Sequence, residues 1–215
     1  MYFYPMYIDD NLLNVIAASD KILPYIDMPL QHADDVMLRR MSRRVNAEQT
    51  EKQILRMREL IPDLVLRTTF ITGFPGETDE QFETLVEFTR RHQFERMGVF
   101  TYSFEPDTPA ARMEGHLDES VKNQRRDRLM AVQQEIMFDY NERQIGKSVD
   151  VIIDQPIPDQ PGAWIGRGFG DAPDVDSVIF VTETEHALAP GRIVECEVVT
   201  FKDYDLVAVA TGQPR

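Results

Sequence analysis

Leu64-Val-Leu-Arg-Thr-Thr-Phe-Ile-Thr-Gly-Phe-Pro-Gly-Glu-Thr-Asp-Glu-Gln81 is the stretch that decides the fold. Its first nine residues, all but Arg67 apolar or β-branched, read as a buried strand. Gly73 to Glu77 is a tight turn in which glycine supplies unusual dihedrals. Thr78 and Gln81 then form a capping box, the Thr hydroxyl and the Gln amide each satisfying an orphan N–H at a helix start. Phe82, Leu85, Val86 and Thr89 mark the buried stripe of that helix. A buried strand that turns directly into a capped helix is half of a parallel βαβ unit, and such units gather ligands at the carboxyl ends of their strands.

Outward from this stretch the alternation continues. Upstream, Tyr2 to Tyr4 is a short aromatic run expected as a strand, stopped by Pro5. Asp9 or Asp10 caps a helix carrying Leu12, Leu13 and Ile16 on one face. Tyr25 to Met28 reads as a strand, Asp34 to Met41 as a short helix, and Ala47 to Ile61 as an amphipathic helix ended by Pro62. Downstream, Met97 to Tyr102 is another strand, and Leu129, Val132, Ile136 and Tyr140 stripe a long helix. The loops at Pro5, Gln31-His32, Gly73–Glu77 and Tyr102–Glu105 are therefore expected on one face.

After Gly146 the texture changes to short β-branched runs separated by Gly, Pro and Asp. Five strands, Ser148–Ile153, Trp164–Gly168, Ser177–Thr182, Ile193–Phe201 and Leu206–Ala210, suit a small OB-like barrel. In Val194-Glu-Cys-Glu-Val198 the alternation turns Cys196 toward the core. The expected organisation is thus an α/β part over residues 1–145 and an all-β part over residues 146–215.

The 215 residues carry 23 Lys and Arg against 37 Asp and Glu, a net charge of −14. Residues 148–215 hold twelve of the acids and only four bases. A surface this acidic repels phosphate backbones and favours a basic partner. No run of about 18 apolar residues offers a transmembrane helix, and the first residues lack the basic and apolar regions of a signal peptide. The expected location is the cytoplasm. One cysteine excludes a disulfide framework and any site built from several thiolates.

The Gly73–Glu77 turn lacks the Lys-Ser/Thr of a P-loop and the third glycine of a dinucleotide fingerprint. It reads either as a structural turn or as a backbone that approaches a ligand, with Glu77 accepting hydrogen bonds. Gln31 and His32 follow a strand end, with no second histidine nearby for a metal site. Arg39, Arg40, Arg43 and Arg44 form a basic cluster, either a solvated helix face or a site for an acidic ligand. Trp164, Arg167 and Phe169 read as a contact surface or, for the tryptophan, as core.

Four strings together resemble one family: Tyr25-Ile-Asp-Met-Pro-Leu-Gln-His32, Arg67-Thr-Thr-Phe-Ile-Thr-Gly-Phe-Pro-Gly-Glu-Thr78, Gly98-Val-Phe-Thr-Tyr-Ser103 and Gly166-Arg-Gly-Phe-Gly-Asp-Ala-Pro173. The family is the radical S-adenosylmethionine methylthiotransferases. Pro-Leu-Gln-His and Gly-Asp-Ala-Pro resemble the RimO branch, which modifies an aspartate β-carbon of a small-subunit ribosomal protein, more than the tRNA-modifying MiaB branch. The resemblance implies a partial radical-SAM (βα) barrel followed by a TRAM barrel. It implies S-adenosylmethionine and two 4Fe–4S clusters as cofactors, with cofactor contacts at Gln31, His32, Gly73, Phe74, Pro75, Gly76, Glu77 and Tyr102. Substrate contacts fall in the TRAM part at Trp164, Arg167, Phe169 and Asp171.

The family's six cluster cysteines have no counterpart here. That implies that Met1 is an internal methionine, that this chain is the C-terminal part of a longer enzyme whose N-terminal half is a partner, and that alone it is inactive. The substrate partner is a basic ribosomal protein, and RNA is the less favoured one. The alternatives are a tRNA-modifying relative and a non-catalytic module that docks on the ribosome.

Overall fold

The computed structural model describes residues 3–215. The chain divides into two compact units, Met1–Ile136 and Met137–Arg215. In the first, α1 (Asp10–Ala18), β1 (Tyr25–Asp27), α2 (Asp35–Arg40), α3 (Ala47–Leu60), β2 (Val65–Thr72), α4 (Asp79–His92) and β3 (Arg96–Thr101) follow in order. α5 (Glu119–Glu142) begins in this unit and ends in the second. The three strands form one parallel sheet in the order β1-β2-β3.

The sequence explains these elements locally. Asp9, Asp34, Asn46 and Thr78 each accept from backbone N–H groups as N-caps. The capping box read at Thr78 and Gln81 is present, and Asn46 with Gln49 makes a second. β2 is the central strand. On its buried face Phe70 meets Phe88 and Phe94 edge-on at 6.4 and 5.9 Å. Around it pack Ile26, Ile54, Met57, Leu66, Leu85 and Leu129.

The expected strand Tyr2–Tyr4 needs correction. Tyr2 lies outside the described residues, and Phe3 and Tyr4 form no strand. Phe3 N–H donates to the Asp27 carbonyl at 2.8 Å. Pro5 then opens a 3-10 turn over Pro5–Tyr7, because proline fixes φ and cannot donate to a ladder. β1 is shorter than expected for the same reason. Met28 still donates to the Arg67 carbonyl, Pro29 cannot donate, and the ladder resumes at an isolated bridge between Gln31 and Phe70.

In the second unit β4 (Ser148–Pro156), β5 (Ala163–Arg167), β6 (Ile179–Thr182), β7 (Ile193–Lys202) and β8 (Asp205–Ala210) close into a barrel in the order β4-β5-β6-β8-β7. Closure removes every free edge. The alternation read from the sequence holds: Val151, Ile153, Val181, Val194, Cys196, Val198 and Ala208 fill the interior. A Cβ on Gly166 would sit 2.5 Å from the Ile152 carbonyl oxygen, so only glycine lets β5 approach β4 there. The sequence texture changes at Gly146, whereas the compact unit begins at Met137, inside α5. Among the described residues no helix is long and apolar enough to cross a membrane.

Candidate functional site

Parallel strands point their carboxyl ends the same way, so the segments after β1, β2 and β3 lie at one edge of the sheet. A cleft of about 540 Å³ opens there, lined by Tyr4, Gln31, Arg40 to Arg43, Ile71, Phe74, Thr108 to Ala110 and Met113. Its floor is apolar: Phe74 stacks edge-on against Tyr102 at 5.2 Å, with Met41, Ile71 and Met113 packed beside them. The Tyr102 ring is buried and its hydroxyl has no partner among the described residues.

Gln31 occupies a strained backbone conformation on this cleft. Its φ is +74°, a region that a residue with a Cβ rarely adopts. β2 holds it there from both sides: Gln31 N–H donates to the Thr69 carbonyl, and Ile71 N–H donates to the Gln31 carbonyl, both at 2.9 Å. Strain fixed this firmly is a common mark of ligand sites.

His32 and Glu77 lie beneath the cleft rather than on it. Asp34 N–H donates to His32 Nδ1 at 3.0 Å, so Nε2 carries the proton and donates to Glu77 Oε1, also at 3.0 Å. The other carboxylate oxygen accepts from Gly73 N–H at 2.8 Å and from Arg125 at 2.5 Å. Arg125 also reaches Asp79 at 2.6 Å. Both Glu77 oxygens are therefore used internally, and the network ties the segments after β1 and β2 to α5.

The glycines of the turn accommodate the protein's own side chains. A Cβ on Gly73 would lie 2.3 Å from Lys122 Cγ, and one on Gly76 would lie 2.8 Å from the Arg40 guanidinium. Lys122 Nζ reaches over the turn to the Tyr102 carbonyl at 3.2 Å and to Glu119 at 2.6 Å. Arg40 donates to the Pro75 carbonyl at 3.0 Å and to the Glu114 carbonyl at 3.4 Å. Of the residues expected at the cofactor, Gln31 and Phe74 line the cleft, and Tyr102 supports its floor. Gly73, Pro75, Gly76, Glu77 and His32 build the turn beneath it.

Lys122 and Arg125 escaped the sequence reading. Their spacing of three places both on one helical face, but they sit among Arg126, Arg128 and several acids that look like an ordinary solvated helix.

In the barrel, Trp164 is half-buried and its indole N–H donates to Glu183 at 2.9 Å. Arg167 pairs with Asp154 at 3.3 Å. Asp171 is buried and accepts from Gly168 N–H at 2.9 Å, closing the Gly168–Asp171 turn. That turn leaves Phe169 as the exposed apolar side chain.

Comparison with known proteins accounts for both units. The Radical SAM superfamily profile matches residues 4–89, and the TRAM domain profile matches residues 145–211. The ribosomal protein uS12 methylthiotransferase RimO of Lachnoclostridium phytofermentans is 46% identical over 97% of this chain and 47% of its own length. The RimO of Desulfitobacterium hafniense is 42% identical over 96% of the chain and 46% of its own length, and that of Clostridioides difficile 43% over the same shares. Along nearly its whole length the chain is similar to the RimO radical S-adenosylmethionine methylthiotransferases.

It spans about half the length of the RimO relatives it matches. Coproporphyrinogen III oxidase (HemN) from Escherichia coli, described as a radical SAM enzyme, superposes with a TM-score of 0.54 at 18% identity, over 65% of this chain and 32% of its own. That likeness carries the radical-SAM fold alone.

The two groups that the likeness to RimO implies fit these residues differently. Iron–sulfur clusters need several thiolates. The one cysteine, Cys196, is buried in the barrel core, and its thiol is pushed up to about 12 by burial, with Asp150 and Glu195 adding to the shift. Among the described residues no three His, Cys, Asp or Glu come together as a metal site. The residues present therefore do not fit a cluster. The cleft does suit S-adenosylmethionine, because it offers an aromatic and aliphatic floor, an uncommitted Gln31 amide and a volume within the usual ligand range of about 300–1,000 Å³.

Proposed function

We propose that this chain supplies the S-adenosylmethionine contacts and the substrate-docking barrel of a methylthiotransferase acting on a small-subunit ribosomal protein, in the cytoplasm where ribosomes are assembled. The observation that carries the reading is the cleft at the carboxyl edge of the parallel sheet, with its strained Gln31, in a chain whose likeness to RimO runs through both units. S-adenosylmethionine, when bound, supplies the radical precursor. Phe74, Ile71 and Met113 would receive its adenine, and Gln31 would hold a polar edge. His32, Glu77 and Arg125 hold the turn rigid under them, so that little loop ordering remains to oppose binding. Cluster thiolates would come from outside these 215 residues, so the chain alone is expected to lack methylthiotransferase activity.

The barrel supports a protein substrate better than RNA. Residues 146–215 carry a large acidic excess, and the exposed Phe169 beside Arg167 gives an apolar point of attachment on that surface. The acidic charge steers a basic ribosomal protein and opposes a phosphate backbone. A salt titration of the whole chain against the small-subunit ribosomal protein and against an anticodon stem-loop RNA tests this. Binding to the protein that weakens with salt, with RNA binding far weaker, is the expected result. Tight RNA binding with a steep salt slope overturns it in favour of the tRNA-modifying branch.

A further inference from the structure

The hairpin between β4 and β5 holds a hollow of about 350 Å³ that opens to solvent. Pro156, Ile157, Pro161 and the Trp164 ring line it, and Asp159 stands among them. Ligand pockets usually run from about 300 to 1,000 Å³, so a hollow of this size suits one side chain better than a large cofactor.

The hollow is built by the hairpin's own bonds. Ile157 N–H donates to the Ala163 carbonyl at 2.9 Å, and Ala163 N–H donates to the Gln160 carbonyl at 3.1 Å. Asp159 and Gly162 take φ values of +61° and +79°, so the chain turns twice within four residues. Aspartate visits that region more readily than most residues. A Cβ on Gly162 would lie 3.3 Å from Glu183 Cγ, and its absence lets Glu183 come close. Glu183 N–H donates to the Gly162 carbonyl at 2.8 Å. Its Oε2 accepts from the Trp164 indole at 2.9 Å and from Leu188 N–H at 3.2 Å. The indole is therefore anchored by its nitrogen, and what it offers a ligand is the ring alone.

Neighbouring acids of the barrel are already engaged. Asp150 meets Arg215, Asp154 meets Arg167, Asp171 accepts from Gly168 N–H and Glu195 from the Ser148 hydroxyl. Asp159 meets no donor among the described residues, and it is the acid that lines the hollow. An aromatic ring, an aliphatic wall and an unclaimed carboxylate complement one kind of group, a cation on a long apolar stem. A planar guanidinium stacks on an aromatic ring and forks onto a carboxylate, which an ammonium does not. Proline would fill the walls and leave Asp159 idle.

We propose that this hollow is a pocket for an arginine side chain of a basic polypeptide. The class of partner rests on the functional reading above; the choice of arginine rests on Trp164 and Asp159.

Trp164 is the one tryptophan of the chain. Its fluorescence and the single indole N–H NMR signal of the whole chain therefore report on the hollow directly. The probes are capped tripeptides with glycine at both ends and arginine, citrulline or proline in the centre. Citrulline keeps the shape of arginine and lacks the charge. Both signals should shift saturably, with arginine favoured over citrulline by about fivefold to tenfold at low salt. Asp159→Asn should bring that ratio close to one. Asparagine tolerates the left-handed region as aspartate does, so the melting temperature should not change. Asp203→Asn is the matched control: Asp203 is also exposed, at φ +55°, and lies outside the hollow. It should leave the ratio as it was.

Equal binding of the arginine and citrulline peptides overturns the proposal, as does a proline peptide that matches arginine or the absence of any shift. A preference that survives Asp159→Asn overturns it too. So does one that falls equally in Asp203→Asn, because the overall charge of the barrel would then be the attraction. These outcomes are separate from the salt titration of ribosomal protein against RNA. Arginine selected here while RNA wins that titration removes the functional reading and leaves the pocket; the opposite pair of results removes the pocket alone.

Discussion

His92 lies against the Phe88 ring at 4.3 Å and near Phe94 at 6.2 Å, buried, with Nε2 3.6 Å from Glu51 and without a hydrogen bond. Burial is the main influence on it and holds its pKa below the ordinary 6.5. Glu51 pulls the other way, and Arg91 and Arg58 reinforce the depression. The unfolded chain therefore binds the proton more readily than the folded one. Stability from this residue is complete above pH 6.5 and is lost as pH falls below it toward the depressed folded value. Urea unfolding followed by helix signal should give a lower midpoint at about pH 5.5 than at about pH 7.5, and His92→Gln should reduce that difference. An unchanged difference in the variant would assign the pH effect to carboxylates instead. The fate of single residues was unevenly legible. Cys196 could be assigned to the core because strand alternation alone decides it. The pairing of His32 with Glu77 could not, because it joins residues 45 apart through a sheet register that no local pattern encodes.

At the scale of elements, local rules worked wherever a signal was local. The capping box at Thr78, the strand into Gly73 and the alternation in β7 all lie within a few residues of their cause. The short aromatic run misled at Phe3 and Tyr4 because an extended pattern forms a strand only with a ladder partner, and after the bond from Phe3 N–H to Asp27 the chain turns at Pro5. The glycine turn was ambiguous for another reason: the side chain that fills its concavity comes from Lys122, far along the chain. This sets up a comparison. Gly73 and Gly146 have nearly the same φ, +73° and +80°, yet a Cβ on Gly146 meets nothing within 4 Å. Gly146→Ala should cost about 1–2 kcal/mol, the backbone penalty alone. Gly73→Ala should cost about 1–3 kcal/mol more, because Lys122 must leave its bonds to Tyr102 and Glu119. Denaturant titrations of the two variants measure this, and equal losses would show that Lys122 moves aside freely.

At the scale of the molecule, charge and texture separated an α/β part from a β part, but they placed the division at Gly146 because that is where helical periodicity stops. The compact second unit starts earlier, at Met137, for a reason that lies in side chains. Phe138 meets Phe201 at 6.0 Å and Tyr204 at 5.7 Å, and Asn141, fully buried, donates to the Tyr204 carbonyl at 3.1 Å. The last turns of α5 thus cover the β7–β8 hairpin at Phe201 and Tyr204. Two aromatic contacts at about 0.5–1.5 kcal/mol each and one hydrogen bond at about 1 kcal/mol make these turns worth roughly 2–4 kcal/mol. That is a large share of the net stability of a small domain. A polypeptide of residues 137–215 should therefore melt cooperatively and well above one of residues 146–215. Phe138→Ala in the longer piece should recover much of the gap. If the two pieces melt together, the barrel is sufficient by itself and the unit begins where the sequence texture changes. If the longer piece wins, the helix end is part of the barrel's fold, and any excision of this module for substrate-binding work has to carry it.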